Sequence, residues 1–235
     1  EHIEMTKAAS DQLTTLPPTL AEHYEVDPRF GNGGYLTTRN GGKAMAFKHK
    51  LRDKVVIAFA PLDFPSSDIN DIHDGGKKQW LAMRDVVQNY QYVLSPETVI
   101  EKVGHSLGGG IVQHSIHDDM APQSEFRDRP IQGYGYDAIG AADHMAEPSR
   151  LNGKMQHILI KGNDLHTVSG PHAGDVFYGL KPSSLIEWVN HTAPQIKESA
   201  LDVLDGKAKV EVDYQPVYRQ DSLSGHVAKA FRDLG

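Results

Sequence analysis

The chain is 235 residues long, 39% hydrophobic and 23% charged, which suits one globular domain with a real core, or at most two small ones. Its formal charge of −7, with no cluster of Lys and Arg on one predicted face, argues against a nucleic-acid or anionic-membrane surface. Cysteine is absent, which excludes disulfides, thiol catalysis and Cys-ligated zinc but fixes no compartment. No apolar run approaches the roughly 20 residues that span a bilayer. Glu1-His2-Ile3-Glu4-Met5 lacks the basic and apolar regions of a signal peptide, so the sequence is compatible with secretion only after loss of a leader or by another route.

Residues 1–32 read as a polar N-terminal extension with a short helix, ending its first part at Pro17-Pro18, and residues 33–235 as the main domain. Tyr35 to Thr38, the turn Asn40-Gly41-Gly42 and Ala44 to Lys48 predict a hairpin. Val55-Val56-Ile57-Ala58-Phe59-Ala60 is a continuous apolar run of strand length, expected to be buried on both faces. Asp63 to Gly76 reads as loop. Trp80, Met83, Val87, Tyr90 and Leu94 then share one face of a helix that Ser95-Pro96 stops.

Thr98 to Val103 predicts a strand, although Glu101-Lys102 are charged and suggest that it has emerged or lies at an edge. After it comes Gly104-His105-Ser106-Leu107-Gly108, which fits Gly-x-Ser-x-Gly, the pattern of a nucleophile raised on a sharp strand-to-helix turn. Such a pattern arises by accident roughly once in ten chains of this length. Its context therefore decides, and Leu107, Ile111, Val112, Ser115 and Ile116 supply the helix that must follow. Further strands are expected at Gln132 to Tyr136 and Met155 to Ile160, helices from the capping box Ser184-x-x-Glu187 and over 195–204, a strand or extended loop at Val210 to Tyr218, and a terminal amphipathic helix after His226. Alternating strands and helices predict an α/β fold, a mostly parallel sheet flanked by helices.

A serine hydroxyl needs a base to take its proton, and the base needs an orienting carboxylate. In open α/β sheets these groups come from loops at the carboxyl ends of strands. Asp164, just beyond Met155–Ile160, lies at such a place, with Asp137 and Asp175 as rivals. Thirteen histidines leave the base open between His226, His172 and His191 on residue type alone. His114 and His117, beside Asp118-Asp119, do not have a zinc spacing and read as helix-surface residues; no metal and no cofactor is predicted.

Several segments together resemble the class 3 (fungal-type) lipase family of the α/β-hydrolase superfamily, in particular its bacterial members. These are Val55 to Asp63 with Asp68 to Ile72, the elbow Gly104 to Gly109, Asn163-Asp164-Leu165, Gly170 to Val176, and Gly225-His226 with Phe231 and Leu234. The resemblance implies Ser106 as nucleophile, His226 as general base and acid, and Asp164 as the residue orienting it. It also implies oxyanion donors at the backbone of Leu107 and of Leu62, with His105 supporting the turn and His172 a structural residue near the site. The family's oxyanion turn reads Arg-Gly-Ser/Thr; here it is Ala60-Pro61-Leu62, without the side-chain hydroxyl. The interval Asp63 to Lys78 is polar and short where fungal members carry an apolar flap, which implies an open site and weak interfacial activation. The expected activity is a carboxylic ester hydrolase (lipase, phospholipase or esterase) on a small-molecule or lipid ester, with transient lipid-surface contact. The alternatives are an acyltransferase or thioesterase on the same triad, or a catalytically impaired binding or effector module.

Overall fold

The computed structural model describes residues 1–61, 73–161, 170–180, 210–212 and 214. Its centre is a sheet in which nine described strands are ordered β1-β3-β4-β5-β6-β7-β8-β9, with β2 paired beside β1 on β3. The strands are β1 (Tyr24–Val26), β2 (Tyr35–Thr37), β3 (Lys43–His49), β4 (Lys54–Phe59), β5 (Val99–His105), β6 (Ile131–Tyr136), β7 (Met155–Ile160), β8 (Val176–Leu180) and β9 (Glu211–Val212). From β4 to β8 every pairing is parallel; the pairings outside that block are antiparallel. The helices considered below are α1 (His2–Asp11), α2 (Pro18–Ala21), α3 (Lys77–Tyr92) and α4 (Leu107–Asp119).

The continuous apolar run of β4 is explained by helices on both sides of it. Alternate residues of a strand face opposite ways. Val56 and Ala58 meet Met5, Ala8 and Ala9 of α1 in one cluster. Val55, Ile57 and Phe59 meet Trp80 and Met83 of α3 and Ile111 of α4 in another. The N-terminal segment is thus one face of the sandwich, and β1 extends the sheet by pairing Tyr24 with His49.

The charged pair in β5 is a correction to the sequence reading. The strand neither emerges nor forms an edge: it lies between β4 and β6, and Lys102 is fully buried. Its ammonium contacts the Asp119 carboxylate at 2.5 Å and the Ser115 hydroxyl at 2.6 Å, both on α4. Burial pushes the ammonium's pKa down and the Asp119 carboxyl's up, with each charge opposing the other's shift. Glu101 faces the opposite side and holds Lys54 at 2.8 Å and His2 at 2.9 Å. There burial raises its pKa, but the hydrogen bonds from His2 and Lys54 outweigh it and hold the carboxyl below its usual range.

Strand β8 was not foreseen, although Val176-Phe177-Tyr178-Gly179-Leu180 is an apolar run of strand length. Of the strand or extended loop expected at Val210 to Tyr218, the described residues include Glu211–Val212, paired antiparallel to β8. The helices expected from Ser184, over 195–204 and after His226 lie outside the described residues, as do residues 63–72 of the expected loop. Among the described residues no helix is long and apolar enough to cross a membrane.

Candidate active site

Strand β5 ends at His105 and α4 begins at Leu107, so Ser106 alone makes the turn between them. Its backbone has φ 55° and ψ −123°, a strained conformation for a residue with a side chain. Three hydrogen bonds impose it. The Ser106 N–H donates to the Tyr136 carbonyl at 3.1 Å, while Gly109 and Ile139 donate to the Ser106 carbonyl at 3.0 and 3.2 Å.

The two glycines of the pattern are required by close approach. A Cβ on Gly104 would lie 2.2 Å from the Gly108 backbone, since the helix doubles back over the strand. A Cβ on Gly108 would lie 2.4 Å from the Phe59 carbonyl oxygen and 2.7 Å from that of Ala60. Removing both side chains lets α4 begin directly against the carboxyl end of β4. Leu107, buried at the first helical position, has its N–H at the helix N-terminus next to Ser106, where the first N–H groups have no helical partner.

The end of β4 supplies the neighbouring turn. Phe59 is paired with Gly104, which sets Ala60 and Pro61 alongside His105 and Ser106. The Ala60 N–H is committed to the Lys43 carbonyl at 3.0 Å, and proline has no N–H to give. Any oxyanion donor from Ala60-Pro61-Leu62 must therefore be the N–H of Leu62, which lies outside the described residues.

The loop after β6 packs against the elbow through a buried residue that sequence reasoning missed. Gln113 of α4 donates to the carbonyls of Gly109 at 3.2 Å and Ile139 at 2.8 Å, and its oxygen accepts from the Ala173 N–H at 2.9 Å. One amide thus locks helix, loop and the 170–175 segment together. A lone Gln on a helix carries no sequence signal for this.

His105 is buried at the end of β5. His172 is buried too, and its Nε2–H donates to the Ala138 carbonyl at 2.8 Å. It packs edge-on to His157 with ring centroids 4.7 Å apart, and His157 stacks on Phe177. His172 therefore lies behind the loop that braces Ser106.

The two rival carboxylates separate clearly. Asp175 accepts from the Gly153 N–H at 2.8 Å, before β7 begins, which is the opposite end of the sheet from Ser106. Asp137 follows β6 directly, is fully buried with φ 44°, and accepts from the Ile160 N–H at 3.1 Å. It ties the carboxyl ends of β6 and β7 beside the elbow. Asp164 and His226 lie outside the described residues, as does His191.

The reading of His114 as a surface residue needs correction. His114 is buried, and its Nε2–H donates to the Asp74 carbonyl at 3.4 Å, just before α3. Burial pulls its pKa down to about 4, the Asp74 carbonyl opposing and His144 and Lys77 reinforcing. His117 lies 3.7 Å from Asp118. Among the described residues no group of three or more potential metal-ligating side chains occurs.

No protein-family model matches the sequence, and neither does any curated protein. Solved structures do match. A triacylglycerol lipase from Penicillium expansum aligns with a TM-score of 0.54 over 77% of each chain at 14% identity. A lipase from Rhizopus microsporus var. chinensis gives 0.54 at 15% identity, covering 78% of this chain and 73% of its own. The Rhizomucor miehei triacylglyceride lipase gives 0.54 at 13% identity, covering 96% and 87%. Identities this low speak for the fold alone, and the chain has the α/β-hydrolase fold seen in these fungal lipases.

Proposed function

We propose that the protein is a serine hydrolase of carboxylic esters, of lipase, phospholipase or esterase type. The observation that carries this reading is the strained Ser106 at a strand-to-helix turn, with its hydroxyl's residue set at the N-terminus of α4 and at the carboxyl end of β5. In this reading Ser106 Oγ attacks the ester carbonyl while His226 takes its proton. The oxyanion so formed is stabilised by the N–H of Leu107 and, from the neighbouring turn, of Leu62. Collapse expels the alcohol, which takes the proton back from His226, and leaves an acyl-serine. A water deprotonated by His226 then releases the acid. Asp164 orients the imidazole and stabilises its charged form.

The resemblance to the class 3 lipases, including its bacterial members, and the fungal-lipase fold support a lipid ester as substrate. The polar interval Asp63 to Lys78 favours small or polar esters, phospholipids included, over bulk triglyceride. One observation favours a weakened catalyst or a binding module instead: with Ala60 and Pro61 unable to donate, a single backbone N–H is left to complete the oxyanion site.

Hydrolysis of p-nitrophenyl butyrate and palmitate, measured in the wild type and in Ser106→Ala, Asp164→Asn, Asp137→Asn and His226→Asn, tests the reading. Loss of turnover in Ser106→Ala, Asp164→Asn and His226→Asn, with Asp137→Asn active, is expected. A wild type inert toward every chain length would refute hydrolysis. Loss in Asp137→Asn with Asp164→Asn active would move the acid to β6.

A further inference from the structure

A chain of net charge −7 gathers basic side chains in one place, at the end of the sheet away from Ser106. Arg29 after β1, Lys48 on β3 and Arg52 in the β3–β4 turn line a cavity of about 220 Å³, together with Asp53, Ser95 and Thr98. Lys48 and Arg52 stand four residues apart in one stretch, and the fold adds Arg29 from another segment. Lys54 also borders the cavity, but its ammonium is engaged by Glu101 at 2.8 Å.

Four cations border the cavity, and their acidic neighbours are Asp27, Asp53, Glu101 and, across the strand pair from Lys48, Glu25. Asp27 engages Nε and Nη2 of Arg29, at 2.9 and 2.5 Å. Asp53, the one acidic residue of the lining, accepts from the Thr98 hydroxyl at 2.8 Å. Lys48 and Arg52 make no ion pair among the described residues.

The turn carrying Arg52 is set in advance. His49 is buried, edge-on to Tyr24 at 5.0 Å, and its Nδ1 accepts from the backbone N–H groups of Leu51 and Arg52 at 3.1 and 3.2 Å. Burial, and then the charge of Arg52, keep this imidazole below its ordinary pKa, so Nδ1 stays bare and able to accept. Lys50 ties the same turn to the Ala21 carbonyl, and the Val99 N–H donates to the Asp53 carbonyl at 3.1 Å. A turn fixed in this way loses little freedom when an anion arrives.

We propose that this cavity is a binding site for a phosphate monoester group. Two cations that form no ion pair among the described residues, a third beside them and the Ser95 hydroxyl suit a doubly charged, tetrahedral oxyanion better than a carboxylate. The volume lies below the roughly 300 Å³ at which pockets for drug-sized ligands begin, so the group carries only a small organic part within the cavity. Seven residues of β5 separate this end of the sheet from Ser106, about 20 Å. The site is therefore independent of the hydrolase reading, and substitutions in it leave turnover unchanged.

Isothermal titration of the whole chain at constant ionic strength, with inorganic phosphate and with glycerol 3-phosphate, tests the proposal. Saturable one-to-one binding of either is expected, weakened about tenfold or more in Lys48→Gln/Arg52→Gln and unchanged in Arg84→Gln, which removes a distant charge. Co-sedimentation with phosphatidic acid vesicles, lost in the same double variant, would identify the source of the phosphate as a lipid headgroup. The cavity is not a phosphate site if none of the three probes binds the wild type, or if binding survives the double variant.

Discussion

Replacing Gly108 by Ala adds one methyl group where the start of α4 presses on the end of β4. Helix propensity alone predicts that this stabilises the protein, by up to about 1 kcal/mol. The structure predicts the opposite sign. The new Cβ would stand 2.4 Å from the Phe59 carbonyl oxygen, and an ordinary contact begins near 3.4 Å, so helix and strand must part by about 1 Å. Overpacking of this kind costs about 1–3 kcal/mol. The same displacement carries the Leu107 N–H away from the oxyanion position, and a 1 Å misplacement can cost about 10²-fold in rate. Urea unfolding reads the first effect and kcat for p-nitrophenyl butyrate the second. A Gly108→Ala protein as stable as wild type would refute the close approach. Lost stability with kcat intact would refute the placing of the oxyanion site at Leu107.

Lys102→Met leaves Asp119 charged and buried without its partner and is expected to cost about 3–5 kcal/mol in urea unfolding. Lys102→Met/Asp119→Leu should recover most of that loss, and a single variant within about 1 kcal/mol of wild type would contradict the buried pair. His114 has its folded pKa lowered from 6.5 to about 4, so between those values the unfolded chain binds a proton that the folded one does not. Its contribution to stability is complete above pH 6.5 and falls by up to about 3 kcal/mol as pH drops toward 4. In His114→Asn the urea midpoint should therefore depend less on pH between 7 and 4.5; an unchanged dependence would show that His114 titrates normally. Gln113→Leu keeps the volume but removes three hydrogen bonds behind the elbow, leaving buried carbonyls and an N–H unsatisfied. A loss of about 1–3 kcal/mol and a lower kcat at unchanged KM are expected, and a variant with wild-type kcat would make the amide a purely structural brace.

The elements that sequence made legible are those whose local pattern and tertiary environment agree. Val55 to Phe59 is apolar throughout because helices cover both faces of β4, and Trp80, Met83, Val87 and Tyr90 recur at helical spacing because α3 has one buried face. The Gly-x-Ser-x-Gly pattern was readable because close backbone approach at Gly104 and Gly108 admits no side chain. What escaped the sequence depends on partners distant along the chain. Lys102 looks like a surface residue until Asp119, seventeen residues later, is folded over it. His114 looks exposed until the Asp74 turn covers it, and the basic cavity is assembled from three segments. Of the expected catalytic set, Ser106 and Leu107 have the local geometry described above, while the assignments of Asp164, His226 and Leu62 still rest on the family resemblance.

The central claim is that Ser106 is an activated nucleophile, and covalent capture tests it most directly. Incubation with a fluorophosphonate should add one phosphonyl group per chain, with peptide mass spectrometry placing it on Ser106. Labelling should vanish in Ser106→Ala and slow sharply in His226→Asn. A wild-type protein that stays unlabelled, or that carries the adduct on another residue, would contradict the account.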